Sequence, residues 1–192
     1  MKIIKKKKKL KEILIKEKNL GFIPTMGALH PGHISLIKKS KEQCKKTIVS
    51  IYINKPQFNK KTDYNRYPKN LKKDINLLKK YNVNFLYLPY TKEIYPKGIN
   101  KNIKINSFSK KLCGKFRPNH FKSVVDVVDR LIKIIKPKNI YFGEKDMQQL
   151  KLIENFIFLN KIKTNVIRCR TIREKNGIAY SSRNFLLSKK EK

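Results

Sequence analysis

The sequence predicts an α/β fold, a twisted parallel sheet with helices on both faces. Three observations point to it. Short apolar or β-branched runs bounded by Gly, Pro and Asn recur along the chain, and apolar residues between them return at helical spacing. The length, 192 residues, suits one domain with a substantial core. Leu20–Thr25 and Ile48–Ile53 read as buried parallel strands, and Phe85–Leu88, Ile140–Phe142 and Asn165–Cys169 resemble them. Leu71, Ile75 and Leu78 set the first helical face. Val124, Val127, Val128, Leu131 and Ile135 set a second, and Met147, Leu150, Ile153 and Ile157 a third. The basic runs Lys5–Lys9 and Lys189–Lys192 read as solvated ends, and no repeat or linker interrupts the pattern. In such folds ligands sit at the carboxyl ends of strands, so the strand ends are where chemistry is sought.

The charge is extreme: 48 Lys and Arg against 13 Asp and Glu, a net +35 and a pI near 10.2. That balance suggests a polyanion partner. The kind of base argues otherwise, because 41 of the 48 are Lys and only 7 are the Arg that base and phosphate readout favours. Lys (41), Ile (25) and Asn (18) share A/T-rich codons, so compositional drift explains the charge without a specific nucleic-acid partner. No apolar run reaches the ~18–20 residues of a membrane span. Met1–Lys11 lacks the apolar core and cleavage site of a secretory signal. Cys44, Cys113 and Cys169 are odd in number and widely spaced, which fits three isolated, buried or half-buried thiols in a reducing cytoplasm.

The first of these strands runs into Pro24-Thr25-Met26-Gly27-Ala28-Leu29-His30-Pro31-Gly32-His33. Gly27 and Gly32 permit close backbone approach, and Pro31 is pre-set to open a helix. A helix starting there is expected to aim free N–H groups and its positive dipole end at a phosphate. His30 and His33, three apart, can converge on the same anion. A zinc pair and a packed core pair are the alternatives, but no third ligand stands nearby at metal spacing. Two of the three histidines in the chain lie in this stretch.

This stretch resembles the H-x-G-H signature of the nucleotidylyltransferase superfamily and, as P-T-M-G-A-L-H-x-G-H, the pantoate–β-alanine ligase family. Four further blocks resemble that family in order. Ser50–Phe58 carries Gln57, with its proline displaced to Pro56. Asp63–Asp74 contains Arg66-Tyr67-Pro68-Lys69 and leads into a helix. Leu112–Phe121 carries Arg117 and His120, with Cys113 and Asn119 where the family has Glu and Gly. Asn119 tolerates left-handed angles, so the turn is expected to survive. Downstream, Ser123 and Asp126 stand where Gly and Thr are usual; an acid facing the pocket would repel pantoate, so Asp126 must face elsewhere or the site is damaged. Tyr141–Leu150 carries the fixed F-G-E-K-D-x-Q-Q-L pattern, and Ile172–Asn184 ends in Ser181-Ser182-Arg183-Asn184.

The resemblance implies a Rossmann-like domain over residues 1–184, of the H-x-G-H nucleotidylyltransferase type. Residues 185–192 are then a short basic tail where the family's smaller C-terminal lid domain would begin. It implies a two-step ligase. Pantoate and ATP give pantoyl adenylate and pyrophosphate, and β-alanine then displaces AMP to give pantothenate. ATP is a substrate with Mg²⁺, and the chain is expected as a cytoplasmic homodimer with no membrane partner. His33, His30, Lys145, Ser181, Ser182 and Arg183 are the expected catalytic set, with His33 labelled the proton donor in the family. Met26, Gly27, Ala28, Leu29, Pro31, Gly32, Gly143, Glu144, Asp146, Ile172 and Tyr180 are expected with them around ATP. Gln57 and Gln149 are expected to hold pantoate and β-alanine, with Arg117 and His120 one layer behind. Asp74 is a candidate for Mg²⁺ through water, or else an exposed helix-opening acid. The alternatives are a decayed or truncated ATP-binding remnant with little turnover, or a basic nucleic-acid-binding module on the same fold.

Overall fold

The structure, a computed structural model, describes residues 1–100, 102–188, 190 and 191. Of the basic run at Lys189–Lys192, Lys189 and Lys192 therefore lie outside the described residues. The chain builds strands β1 (Lys2–Ile4), β2 (Leu20–Thr25), β3 (Lys46–Ile51), β4 (Phe85–Tyr87), β5 (Asn139–Gly143) and β6 (Asn165–Cys169). They form one sheet in the order β1-β4-β3-β2-β5-β6, with every pairing parallel. From β2 the chain winds through β3 to β4 on one side, then crosses to β5 and β6 on the other. The order thus reverses between β2 and β5, and that crevice is where open parallel sheets take ligands.

Helices α1 (Lys7–Leu14), α7 (His120–Ile135) and α8 (Met147–Leu159) supply one core, with Leu10, Val124, Val128, Leu131 and Ile153 packed against Phe22, Ile48 and Ile140. Helices α2 (Pro31–Gln43) and α4 (Leu71–Lys80) supply the second, with Ile34, Ile37 and Leu78 against Ile23, Val49 and Leu86. Each fully buried aliphatic side chain contributes roughly 1.5–3 kcal/mol by leaving water, so these two faces carry the fold. Short helices α3 (Lys61–Arg66), α5 (Thr91–Ile94) and α6 (Cys113–Phe116) lie in the connections. α2 lies close on β2 because Gly21 has no side chain; a Cβ there would stand 2.1 Å from Ser40 Oγ. Ser40 in turn shares a 2.9 Å hydrogen bond with Thr47, sealing the contact without leaving a buried hydroxyl unpaired.

The basic run at the N-terminus is largely solvated, as expected, and is also structured. Its lysines are mostly exposed, but the stretch forms β1 and α1, and Leu10 and Leu14, four apart, are buried beneath the charges. Asn119 adopts φ +61°, ψ −2° at the start of α7, the left-handed turn expected of it. The displaced Pro56 sits inside a 3-10 turn, Lys55–Gln57, at a position whose N–H has no partner to lose.

Candidate active site

The β2 and β5 strand ends border one cleft with two lobes, of about 210 and 120 Å³, that share His30, His33, Phe142, Lys145, Asp146 and Gln149. The first lobe adds Met26, Gln57, Ser181, Ser182 and Arg183, and an apolar wall of Val124, Val127, Val128 and Leu131 from α7. The second adds Gly32, Gly143, Ile172 and Tyr180, together with Arg170 and Thr171.

The histidine pair caps its own helix. His30 Nδ1 accepts the Gly32 N–H at 3.1 Å, and His33 Nδ1 accepts the His30 N–H at 3.4 Å. The two ring centroids are 4.0 Å apart, and Tyr180 stacks on His30 at 6.3 Å. Burial first, then the Lys145 charge, pushes the His30 pKa down to about 4. Burial, then His30 and Lys145, pushes His33 down to about 3. Both rings are therefore neutral at pH 7. With Nδ1 accepting, the single ring proton is assigned to Nε2, so each histidine offers one N–H donor and no positive charge.

The expectation of free helix-start amides is corrected by the same loop. Gly27 N–H goes to Thr25 Oγ1 at 3.1 Å, and the Ala28 and Leu29 N–H groups go to the Asp74 carboxylate at 2.9 and 2.8 Å. His30 and Gly32 are used as above, and the His33 N–H goes to the His30 carbonyl at 2.8 Å. Every N–H from Gly27 to His33 has a protein partner, so the donors this loop leaves free are the ring Nε2–H groups.

Gln57 is held from three sides. Its Oε1 accepts from Asn54 Nδ2 at 3.1 Å, its Nε2 donates to Met26 Sδ at 3.2 Å, and its backbone carbonyl accepts from His120 Nδ1 at 2.7 Å. Asn54 is 1% exposed and is itself fixed by Tyr95 Oη at 2.8 Å and the Ser123 carbonyl at 3.1 Å. Gln149 faces both lobes, whereas Gln148 is buried and donates to the Phe108 and Lys111 carbonyls.

Cations ring the other end. Lys145 Nζ lies 2.8 Å from Asp146, and Arg183 pairs with Asp63 at 2.9 Å while lying 5.6 Å over the Tyr67 ring. Burial and the neighbouring Arg183 charge lower the Arg117 pKa. Ser181 Oγ accepts the Arg183 N–H at 3.3 Å.

Several expected site residues stand elsewhere. Ser182 borders the cleft, but its hydroxyl donates to the Ala28 carbonyl at 3.0 Å and so is turned into the histidine loop. Asp74 is 3% exposed and commits both oxygens to loop amides, so it is neither an exposed acid nor an acid facing the cleft. Gly27 and Ala28 border a separate cavity with Asp74; Leu29 and Pro31 border another with Phe185. Glu144 is near Arg168 and Cys169, outside both cleft lobes. Arg117 and His120 do not line the cleft, and His120 acts on it through Gln57. Asp126 faces away, paired with Arg130 at 2.7 Å and accepting the Asn100 N–H at 3.0 Å. Sequence reasoning gave Asn54, Tyr67, Arg170 and the α7 wall no role here; only the i, i+3, i+4, i+7 spacing of Val124, Val127, Val128 and Leu131 signalled that wall.

Fold and cleft together define a class: a parallel α/β protein with a ligand cleft at the switch point of its sheet. Residues 2–192 match the family model described as Pantoate-beta-alanine ligase, and the chain belongs to that family. The pantothenate synthetase of Pseudothermotoga lettingae is 43% identical over 100% of this chain and 68% of its own length. That of Sulfurihydrogenibium sp. is 45% identical over 91% of this chain and 62% of its own length. The crystal structure of pantothenate synthetase from Thermus thermophilus superposes with a TM-score of 0.94 at 35% identity, covering 99% of this chain and 69% of that one. A Francisella tularensis pantoate-beta-alanine ligase complexed with beta-gamma ATP and beta-alanine gives 0.92 at 42%, covering 98% and 74%. The chain thus spans about two thirds of the length of the relatives it matches.

Proposed function

We propose that this chain condenses pantoate with β-alanine, driven by ATP, through a pantoyl adenylate. The observation that carries the reading is the meeting of three donor segments on one cleft: the His30/His33 pair, Gly143–Asp146, and Ser181–Arg183. Beside them the amides of Gln57 and Gln149 stand next to the apolar α7 wall. That pairing suits a small hydroxy acid with a branched carbon body. A Francisella relative complexed with beta-gamma ATP and beta-alanine adds support.

In the first step a pantoate carboxylate oxygen attacks the α-phosphorus and the bond to the bridging oxygen of pyrophosphate breaks. In the second, the β-alanine amine attacks the acyl carbon, AMP leaves with the bridging oxygen, and the amine loses its proton to solvent. Neither step needs a protein nucleophile, so rate comes from alignment and charge stabilisation. The two Nε2–H donors, Lys145 and Arg183 face the phosphate chain. His33, neutral at pH 7, acts there as a hydrogen-bond donor and not as a source of a full proton. Ser181 joins them, while Ser182 reaches phosphate only by leaving the Ala28 carbonyl.

Among the described residues the cleft is lined by one carboxylate, Asp146. Mg²⁺ carried on a triphosphate takes most of its oxygen ligands from phosphates and water, so one carboxylate suffices and the residues fit it. Asp146 would hold it, and bound there it supplies positive charge against the triphosphate. The reading extends to a homodimer in the cytoplasm, which rests on the family resemblance and the three free thiols, of which Cys44 and Cys169 are buried and Cys113, against expectation, is exposed.

Pyrophosphate release tests the reading. With ATP and pantoate but no β-alanine, about one equivalent per site is expected, followed by steady turnover when β-alanine is added. A folded chain that releases none, with or without β-alanine, overturns it.

A further inference from the structure

The loop carrying the two histidines is gripped by a residue that never reaches the cleft. Asp74 lies in the first turn of α4, is almost completely buried, and places one oxygen 2.9 Å from the Ala28 nitrogen and the other 2.8 Å from the Leu29 nitrogen. Those are the two amides immediately before His30. The backbone they belong to is unusual: Gly27 at φ +81° and Ala28 at φ +50° are consecutive left-handed residues. A non-glycine in that region is strained and persists only when its surroundings hold it. The carboxylate also fills the space beside the turn, since a Cβ on Gly27 would lie 2.9 Å from Asp74 Oδ2. From the opposite side Ser182 Oγ donates to the Ala28 carbonyl, so Ala28 is held by both its N–H and its C=O.

We propose that Asp74 is the positioning residue of the histidine loop, setting the backbone from which His30 and His33 direct their Nε2–H groups into the cleft. A neutral side chain cannot replace it: an amide has one acceptor oxygen, so one of the two loop N–H groups would face an NH₂. Among the described residues no lysine or arginine lies within ion-pair distance of Asp74; the Lys73 charge acts on it from further off, and the two amides are its hydrogen-bond donors. The effect on turnover rests on the ligase reading above; the effect on the rings does not.

The test is ¹⁵N NMR of the three histidine rings in the full chain, comparing wild type with Asp74→Asn. His120, held by the Gln57 carbonyl, is the internal control. In wild type at pH 7, His30 and His33 should show protonated Nε2 and bare Nδ1. In Asp74→Asn both should move to averaged tautomers while His120 keeps its wild-type pattern. Where wild type turns over, Asp74→Asn should lose about 10- to 100-fold in kcat, as misplaced reacting groups do, with less than about 3-fold change in KM for pantoate. Unchanged His30 and His33 rings, or a His120 ring that changes as much as they do, overturns the proposal. If Asp74→Asn does not fold, Asp74→Glu keeps both acceptors and displaces them, and the same two rings must respond without His120. If wild type shows no pantoate-dependent turnover, the ligase reading fails while the rings still decide the role of Asp74.

Discussion

His30 and His33 stand 4.0 Å apart, centroid to centroid, and each turns Nδ1 onto a backbone amide. The pair therefore presents two neutral donors to the cleft. Both rings titrate lower in the folded chain than the usual 6.5, at about 4 and about 3. Between pH 6.5 and those values the unfolded chain binds more protons, so stability falls as pH falls through that window. Each ring contributes up to about 1.4 kcal/mol per pH unit there. Chemical denaturation between pH 7 and 5 should show this loss, and a His30→Asn/His33→Asn double variant should lose markedly less. Equal pH dependence in both would contradict neutral rings.

His33→Ala should leave the fold intact and lower pyrophosphate release by roughly 10²–10³, the scale seen when a pre-set donor to developing charge is removed. Circular dichroism and initial rates in parallel check it. A near-wild-type rate would remove His33 from the phosphate site.

Asn54 links Tyr95 and Ser123 to Gln57, so its removal should be felt by the substrate and not by the nucleotide. Asn54→Ala strips partners from buried groups, at about 1–3 kcal/mol of stability. It should raise KM for pantoate about 10-fold, with KM for ATP little changed. Equal rises in both constants would mean the site is distorted generally.

Asp126 is 4% exposed in its side chain and pairs with Arg130, which also donates to the Ile94 and Gly98 carbonyls. Asp126→Ala leaves a half-buried guanidinium without its counter-charge and should cost about 1–3 kcal/mol. Because Asp126 faces away from the cleft, KM for pantoate should hold at permissive temperature. Urea midpoints and KM values settle both halves.

What the sequence made legible was local. Leu20–Thr25 and Asn165–Cys169 are strands with the boundaries their composition set. The strand read as Ile48–Ile53 runs Lys46–Ile51, because its ladder with β2 pairs Lys46 with Leu20 and Ile51 with Thr25, a register composition does not reveal. Helix α1 was hidden under its lysines, since five consecutive charges mask the Leu10 and Leu14 spacing. The histidine loop was recognisable, but its wiring was not. Asp74 lies 45 residues from the Leu29 amide it accepts, and Ser182 lies 154 from Ala28. Pairings at that separation are set by the sheet order, so the same residues read as a metal candidate and a phosphate clamp.

The central claim is that the pantoate carboxylate is adenylated in this cleft. The direct measurement uses pantoate labelled with ¹⁸O at both carboxyl oxygens, turned over with ATP and β-alanine, and mass analysis of the products. Attack on the α-phosphorus followed by loss of AMP places one ¹⁸O in AMP and one in the pantothenate amide. Label in inorganic phosphate, or none in AMP, would contradict the account.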